Sequence, residues 1–425
     1  MKTTGYGKLA IDGGEPAVVK PIPPMYPGGL RIGREEEAAV LEVLRSKRLF
    51  RYYGPSAGPS QVKILEEEFA RVMGVNHALG VSSGSASLMC GLAALGVGPG
   101  DEVIIPAYTW IATAETVMAV GAVPILAEID SSLMVDPDDI ERRVTRYTRA
   151  IIPVHMRGRP CDMDRIMAVA AKHNLKVLED TAQADGASFH GKHLGSIGDI
   201  GAFSFQFNKI LTCGEGGMVI TNHKEYYERA VMYHDVIGGL RNNISEEKIL
   251  PGMNFRMSEI QGAIMRVQLT RLEGLLRDMR QKKAMIKAAL SNQAAQKGVE
   301  FVRLNDPEGE AAISLIFLAP SSVLSRKLID AMRAEGVPVS GLYDPDRVDY
   351  HIYSHWAPVL NKKTWSENGG PWRWHTGDIT YAKDMCPKTL DLLGRAIHLD
   401  ISPELDNENI EEIAEGINKV LDALL

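Results

Sequence analysis

A lysine and an aspartate, each placed after an apolar run, are the residues of this sequence best suited to chemistry. Lys209 ends the run Gly201–Lys209 and precedes the Gly-rich Thr212–Gly217, while Asp180 ends the run Val177–Asp180. An amine that can form an imine and a carboxylate that keeps a pyridine nitrogen protonated are the two groups that an enzyme using pyridoxal phosphate (PLP) requires. The pair therefore predicts PLP as cofactor, with Lys209 and Asp180 as catalytic residues.

A phosphate site is indicated where the first predicted strand meets the helix that follows it. Residues 82–87 read Ser-Ser-Gly-Ser-Ala-Ser. Such a junction offers free backbone N–H groups, hydroxyls and the positive end of a helix dipole, which together suit a phosphate. Ser204 is placed to add a further hydroxyl. The alternative is an ordinary helix N-cap, because Ser and Gly are favoured there without a ligand.

Two more residues are candidates for contact with a flat ring. Trp110 follows the second predicted strand and can stack on such a ring, although a tryptophan of the core is the alternative. Gln183 lies three residues after Asp180 and can reach the oxygen or the face of the ring. On its own, this glutamine does not indicate a binding site.

A serine hydrolase is the rival hypothesis. Residues 80–84, Gly-Val-Ser-Ser-Gly, match the nucleophile-elbow pattern and stand in the strand–turn–helix context that it requires, with Ser82 as nucleophile. However, the match falls on the first strand, so no earlier strand carries an oxyanion loop, and only His398 is available as a guess for the histidine. The glycines of residues 96–100 resemble a dinucleotide-binding loop, but they follow a helix and precede a strand. A dinucleotide-binding loop requires the reverse order, so this motif is rejected.

Strand and helix patterns alternate from about His77 onward, which predicts an α/β fold with a mainly parallel, helix-covered sheet. Helices are predicted at Glu35–Ser46, Ala86–Leu95, Thr113–Val120, Asp138–Val144 and Asp164–His173. The seven predicted strands are His77–Ser82, Glu102–Ala107, Val123–Ile129, Ala150–His155, Lys176–Asp180, Ile200–Phe205 and Met218–Thr221.

The C-terminal part is predicted to form a second, smaller α+β domain. It begins with a long helix that runs from after Arg256 to about Leu290 and continues with elements at Ala312–Leu318, Ser325–Glu335 and Ile410–Leu425. We expect an N-terminal arm and helix near the small domain (1–60), a large PLP-binding domain (61–265) and the small domain (266–425). Tyr343–His375 holds four of the five tryptophans, and a loop this aromatic is expected to pack against something.

Composition excludes several classes of protein. A net charge of −7 without a dominant basic stretch argues against nucleic-acid binding. The four cysteines are scattered without metal-ligand spacing, so no metal is expected. Met1–Tyr6 lacks the apolar segment of a secretory signal, and no apolar run is long enough to cross a bilayer. A cytoplasmic protein with no membrane contact is expected.

Several stretches of the sequence, taken together, resemble the DegT/StrS family of PLP-dependent sugar aminotransferases over nearly the whole chain. The strongest blocks are Ser82–Ala86, Pro106–Thr113, Pro153–Asp164, Glu179–Gly186, Gly198–Lys209, Gly214–Gly217 and Gly252–Gln261. The resemblance implies a fold-type I architecture, with a seven-stranded large domain and a smaller C-terminal domain. It also implies ping-pong transfer from glutamate or glutamine to a keto-sugar, nucleotide-linked or not, or to a keto-cyclitol.

The resemblance also implies roles for particular residues. Lys209 forms the internal aldimine, Asp180 pairs with the pyridine nitrogen, Gln183 lies by the ring and Trp110 stacks on it. The phosphate is bound by the serine and glycine positions of the pattern, here Gly84, Ser85 and Ser204. Asn254 lies in a block that reaches into the neighbouring subunit's site, which implies a homodimer with shared active sites.

Some positions depart from the family pattern. Gln206 stands where a histidine is common, Met156-Arg157 replaces an apolar residue plus tyrosine, and Tyr343–His375 has no close counterpart. A sister group of sugar dehydratases carries histidine in place of the lysine, so Lys209 argues against that activity and against a non-catalytic member. The candidate specificity elements are Arg51–Gly54, His234–Glu246 and the tryptophan-rich segment.

Overall fold

The computed structural model describes residues 7–53, 58 and 60–425. Two predictions concern residues outside this described part. One is the absence of a secretory signal at Met1–Tyr6, and the other is the role of Gly54 in the candidate specificity element Arg51–Gly54. Within the described residues, none of the helices has the length and apolar character needed to cross a membrane.

A seven-stranded sheet forms the centre of the molecule, in the order β1-β9-β8-β5-β4-β2-β3. The neighbours from β8 to β3 are parallel, whereas β9 runs antiparallel to both β1 and β8. The predicted α/β fold is therefore confirmed. The strands of this sheet are β1 (His77–Val81), β2 (Glu102–Pro106), β3 (Val123–Ala127), β4 (Thr148–Ile151), β5 (Lys176–Asp180), β8 (Ile200–Ser204) and β9 (Gly217–Thr221), and a hairpin of β6 (Ser188–Phe189) and β7 (Lys192–His193) lies between β5 and β8.

Helices cover the sheet on both faces, which explains why strands such as β2, β8 and β9 are buried along their whole length. The helices up to the long central one are α1 (Pro27–Leu30), α2 (Arg34–Ser46), α3 (Gln61–Met73), α4 (Gly84–Ala94), α5 (Ala112–Ala119), α6 (Pro137–Arg143), α7 (Met163–His173), α8 (Lys224–His234), α9 (Gly238–Arg241) and α10 (Glu259–Gln296).

Three details of the large sheet region differ from the prediction. Helices α3 and α8 were missed, although Val62, Leu65 and Phe69 of α3 are buried at helical spacing. The fourth strand, predicted at Ala150–His155, begins two residues earlier and ends four residues earlier, at Thr148–Ile151. It ends there because after Ile151 the chain leaves the β2 ladder and pairs with β5 again only through a bridge between Val154 and Asp180.

A second, four-stranded antiparallel sheet follows α10, in the order β10-β11-β13-β12. The N-terminal segment packs beside it, since the backbone N–H groups of Ala10 and Val18 donate to Glu335. The three-part division of the chain stays a prediction. This part contains β10 (Glu300–Phe301), β11 (Ser314–Leu318), α11 (Ser322–Ala334), β12 (Val339–Gly341), α12 (Ala357–Leu360), α13 (Pro371–Trp374), α14 (Pro387–Arg395), β13 (Ala396–Asp400) and α15 (Asn407–Leu424).

The tryptophan-rich segment packs against the loop that follows β2. The backbone N–H of Thr109 donates to the carbonyl of His351 at 3.0 Å, and that of Ile111 donates to the carbonyl of Tyr350 at 2.9 Å. Trp356 is fully buried, whereas Trp365 is fully exposed. The segment thus becomes a wall at the carboxyl edge of the large sheet.

Candidate active site

One cavity of about 410 Å³ opens at the carboxyl ends of β2, β5 and β8. Ligand sites of parallel sheets form at this edge because the loops after neighbouring strands converge there. Seven of the eight predicted site residues line it, namely Gly84, Ser85, Trp110, Asp180, Gln183, Ser204 and Lys209. The remaining lining residues include Thr109, Thr113, Val154, Gln206, Asn208, Glu215 and His351.

Asp180 ends β5 with its carboxylate buried in the floor of this cavity. Its Oδ2 atom accepts a hydrogen bond from the Thr113 hydroxyl at 2.9 Å, and its Oδ1 atom accepts one from the Ala182 N–H at 3.1 Å. Burial raises the pKa of Asp180, while these two hydrogen bonds and the charge of Lys209 act in the opposite direction. A fixed, buried carboxylate of this kind is stabilised by a cationic partner such as a protonated pyridine nitrogen.

Lys209 sits at the end of the turn that follows β8, half-buried in the same cavity. Its N–H donates to the Gln206 carbonyl and its carbonyl accepts from the Gly28 N–H, so the backbone around it is fixed. Burial lowers the pKa of the Lys209 amine, against the opposing effect of Asp180 and Asp185. A larger neutral fraction makes the amine a better nucleophile toward an aldehyde.

The N-terminus of α4 supplies the predicted phosphate cradle. Ser83 caps the helix by accepting from the Ala86 N–H, which leaves the first turn at Gly84 and Ser85 facing the cavity. A Cβ atom at position 84 would lie 2.6 Å from the Cβ atom of Ser204, so only glycine fits. Free N–H groups beside a serine hydroxyl bind phosphate oxygens well. With Lys209 and Asp180 in the same cavity, the residues fit PLP.

Trp110 and Gln183 line the cavity between Asp180, Lys209 and the N-terminus of α4. Trp110 is 47% exposed, which excludes a tryptophan of the core, and its ring lies 4.9 Å from that of His351. The Gln183 Oε1 atom accepts from the Arg157 N–H at 3.0 Å. Gln206, which stands where histidine is common, also lines the cavity.

Asn254 is the one predicted site residue that does not line this cavity. It is exposed, and its backbone forms an antiparallel bridge with Asp235. Asp235 in turn accepts a hydrogen bond from the Arg256 guanidinium at 2.7 Å and forms an ion pair with Arg241. The contribution of Asn254 to a neighbouring subunit stays a prediction.

Asp185 is a carboxylic acid near Lys209 that the sequence analysis missed. It is fully buried; its Oδ2 atom accepts from the Leu211 N–H at 3.4 Å, and its Oδ1 atom has no partner among the described residues. Burial raises the pKa of Asp185 to about 8, although the Leu211 N–H and the charge of Lys209 act against this. Nothing in the local sequence indicates that this loop is so deeply buried.

His351 was also missed, because it comes from a segment far along the chain. It lines the cavity, and its Nδ1 atom lies 2.8 Å from the Asp349 carboxylate. The other two candidate specificity elements lie elsewhere: Arg51, Tyr52 and Arg241 line a separate cavity of about 390 Å³. Among the described residues of the three elements, only His351 of the tryptophan-rich segment lines the cavity near Lys209.

The structure does not assemble a serine hydrolase around Ser82. The Ser82 N–H donates to the Phe255 carbonyl, and Ser82 does not line the cavity. His398 lies in the second sheet, where its Nδ1 atom is 3.3 Å from the Ser340 hydroxyl. Within residues 7–53, 58 and 60–425, no three His, Cys, Asp or Glu side chains are arranged to hold a metal ion.

Proteins with similar sequences include sugar and cyclitol aminotransferases. A sequence model of the DegT/DnrJ/EryC1/StrS aminotransferase family matches residues 30–365. A UDP-N-acetyl-3-dehydro-α-D-glucosamine 3-aminotransferase of Acidithiobacillus ferrooxidans is 36% identical over 369 residues, covering 85% of this chain and 89% of the relative. An L-glutamine:2-deoxy-scyllo-inosose aminotransferase of Streptoalloteichus tenebrarius is 35% identical over 376 residues and covers 84% of each chain.

A solved structure supports the same conclusion at the level of the fold. The aminotransferase of Psychrobacter cryohalolentis superposes with a TM-score of 0.79 at 28% identity, covering 95% of this chain and all of that one. The family match spans most of the chain, and one cavity is lined by the buried carboxylate of Asp180, by Lys209 and by the N-terminus of α4. This chain therefore belongs to the DegT/DnrJ/EryC1/StrS family of PLP-dependent aminotransferases.

Proposed function

We propose that this enzyme moves an amino group from glutamate or glutamine to the ketone of a cyclic polyol, either a keto-sugar, free or nucleotide-linked, or a keto-cyclitol. One relative is named for a UDP-linked dehydro sugar, and another for L-glutamine and a keto-cyclitol. The observation that carries the proposal is that the Lys209 amine and the Asp180 carboxylate line one cavity of a size suited to a cofactor and a small substrate.

In the proposed chemistry Lys209 has two roles. Its Nζ atom would hold the cofactor covalently. Once the amino donor displaces it, the free neutral amine would take the proton from the amino-bearing carbon of the substrate and give it up again later in the same half-reaction. PLP supplies an electron-accepting ring that stabilises the negative charge left on that carbon. Burial lowers the pKa of Lys209, which favours the neutral amine needed for the first proton transfer.

Asp180 and the phosphate cradle hold the two ends of the cofactor in this proposal. The Asp180 carboxylate, oriented by Thr113, would keep the pyridine nitrogen protonated. Gly84, Ser85 and Ser204 would bind the phosphate, so the cofactor would stay in place after the first product leaves. Retention is required for a ping-pong reaction, because donor and acceptor use the same cavity in turn.

The proposal includes a homodimer in which Asn254 of the partner subunit completes the phosphate pocket. Asn254 is exposed and held by the backbone bridge to Asp235, so it is free to contact a second chain. Asn254→Ala should lower PLP occupancy, measured by absorbance, while Asn292→Ala, an exposed change on α10, should not. A monomer in solution with full PLP occupancy would contradict the shared site.

Isotope transfer tests the proposed reaction. Glutamate or glutamine labelled with ¹⁵N at the α-amino group is incubated with 2-deoxy-scyllo-inosose or a UDP-linked 3-keto-sugar, and the product is analysed by mass spectrometry. The labelled amine should appear on the acceptor carbon. Lys209→Ala should abolish the transfer, whereas Lys192→Ala, an exposed lysine of the β6–β7 hairpin, should leave it unchanged. Transfer from neither donor to any keto-polyol would refute the proposal.

A further inference from the structure

The proposed reaction moves protons at two places, and Lys209 accounts for only one of them. An amine that replaces a ketone oxygen forms a C=N bond and breaks the C=O bond, and the oxygen leaves as water. Both hydrogens of that water come from the amino nitrogen, so protons must pass from nitrogen to oxygen. A positioned side chain that takes a proton from one atom and gives it to the other accelerates such a step. Lys209 is assigned instead to the proton on carbon.

Few groups at the cavity can exchange a proton with a substrate. Among the described residues that line it, the ionisable side chains are those of Asp180, Lys209, Glu215 and His351. Asp180 is buried and assigned to the ring nitrogen. Glu215 is exposed, and it accepts the hydrogen bond from Gln261 through its backbone carbonyl rather than its carboxylate. His351 remains, and imidazoles both give and take protons near neutral pH.

The carboxylate of Asp349 fixes the imidazole of His351. The Nδ1 atom of the ring lies 2.8 Å from the Oδ1 atom of Asp349, and the same oxygen accepts the His351 N–H at 2.9 Å. Burial acts to raise the pKa of Asp349, but hydrogen bonds from the ring and the N–H of His351 lower it overall. An ionised carboxylate only accepts hydrogen bonds, so the proton of the neutral ring lies on Nδ1. The Nε2 atom is then the basic atom of the ring.

The His351 ring also has a fixed place beside Trp110. The centroids of the two rings are 4.9 Å apart, and their planes are inclined by 55°. The carbonyl of His351 accepts from the Thr109 N–H at 3.0 Å, which ties the backbone to the loop after β2. A catalytic group that is held by its neighbours before the substrate arrives needs little reorganisation during the reaction.

Charged or ionisable groups of several elements lie around the pair of His351 and Asp349. They are His355 on the same segment, Arg157 after β4, Asp180 at the end of β5, Lys209 and Glu215 after β8, and His398 on β13. Because Lys209 and Asp180 also titrate in this cavity, a pH profile alone does not identify His351. Chemical rescue and the tautomer of the ring do.

We propose that His351 is a second catalytic residue, which carries a proton between the incoming amino nitrogen and the departing ketone oxygen of the acceptor, and that Asp349 is its positioning residue. This inference rests on the proposed function and adds the group that handles the oxygen. The Nε2 atom takes a proton from nitrogen, and the imidazolium ring gives it to the oxygen, which leaves as water. The ring ends the step neutral. In the donor half-reaction the same proton path runs in reverse, because water there replaces nitrogen by oxygen.

Chemical rescue tests the catalytic role. In His351→Ala the rates of both half-reactions, followed by the absorbance of the cofactor, should fall about 100-fold, and added imidazole should restore at least about 10-fold. His351→Gln keeps a polar side chain that cannot carry the proton, so it should be equally slow and should not respond to imidazole. His190→Ala, an exposed histidine between β6 and β7, should match the wild type.

The tautomer of the ring is a readout that does not depend on activity. NMR of the full chain labelled with ¹⁵N-histidine, with and without PLP, shows which ring nitrogen carries the proton, and the spectrum of His351→Gln assigns the signal. The proton should lie on Nδ1 in the wild type. Asp349→Asn should remove this preference and slow both half-reactions at least about 10-fold, because the ring is no longer oriented. Asp346→Asn, an exposed change nearby, should do neither.

The contrary outcomes separate this inference from the proposed function. A rate within about 3-fold of the wild type in His351→Ala, a slow variant that imidazole does not rescue, or a neutral wild-type ring with its proton on Nε2 would overturn the role of His351. Amination of the wild-type cofactor by glutamate or glutamine would still support the proposed function in each of these cases. A wild type that neither donor aminates would refute the proposed function, and the inference with it.

Discussion

Burial moves the pKa values of Lys209 and Asp180 in opposite directions within one cavity: it lowers that of the amine and raises that of the carboxyl. Both shifts have the same cause, since loss of water disfavours the charged form of each group. The charge of each residue partly offsets the effect of burial on the other. The free enzyme thus holds an amine biased toward its neutral, nucleophilic form and a carboxylate that gains from a cationic ring nitrogen.

Removing the hydroxyl that orients Asp180 should weaken catalysis and shift its pH dependence. In Thr113→Val the Oδ2 atom of Asp180 loses its donor, so the pKa of this carboxyl rises further. We expect kcat/KM to fall about 10-fold and the acid limb of its pH profile to move to higher pH. Thr116→Val is the control, because its hydroxyl bonds only to the Thr113 carbonyl in the helix. An unchanged profile would show that Asp180 does not need to be ionised.

A methyl group at position 84 should disturb the phosphate cradle. In Gly84→Ala the new Cβ atom meets Ser204 at 2.6 Å, and one of the two must shift. Overpacking of this kind costs about 1–3 kcal/mol of the free energy of unfolding, and we expect PLP affinity to fall at least about 10-fold. Gly98→Ala is the control, because its Cβ atom has only one neighbour, at 4.0 Å. PLP affinity equal to the wild type in Gly84→Ala would place the phosphate elsewhere.

The buried Asp185 should make stability depend on pH. Its pKa is about 8 in the folded protein and 3.8 when unperturbed, so between these values the folded state keeps a proton that the unfolded state has lost. The stabilisation is complete below pH 3.8 and is lost as pH rises to about 8, at roughly 1.4 kcal/mol per pH unit.

Asp185→Asn removes this titration. In urea unfolding measured from pH 5 to 8, the free energy of unfolding of the variant should fall less steeply with pH than that of the wild type. Asp330→Asn, an exposed change on α11, should follow the wild-type slope. Parallel slopes for Asp185→Asn and the wild type would mean that Asp185 is ionised in the folded protein across this range.

The sequence predicts those parts of the fold and the site in which a functional residue directly follows an apolar strand. Val177 and Leu178 before Asp180, and Phe203 and Phe205 before Lys209, mark buried strands whose ends must share one edge of the sheet. Helix α3 could have been recognised, because Ser60 caps it and its apolar residues recur at helical spacing.

Other parts of the site have no local signal. His351 reaches the cavity only because backbone groups after β2 pair with the tryptophan-rich segment, a contact across more than two hundred residues. The depth of Asp185 depends on tertiary packing, since its loop has the composition of an exposed turn.

The attachment point of the cofactor tests the central claim most directly. The PLP-loaded enzyme is reduced with borohydride, digested, and the modified peptide is sequenced by mass spectrometry. The cofactor should be found on Lys209 and on no other lysine, and Lys209→Ala should yield no modified peptide. A reduced adduct on a different lysine, or an unchanged adduct yield in Lys209→Ala, would contradict the account.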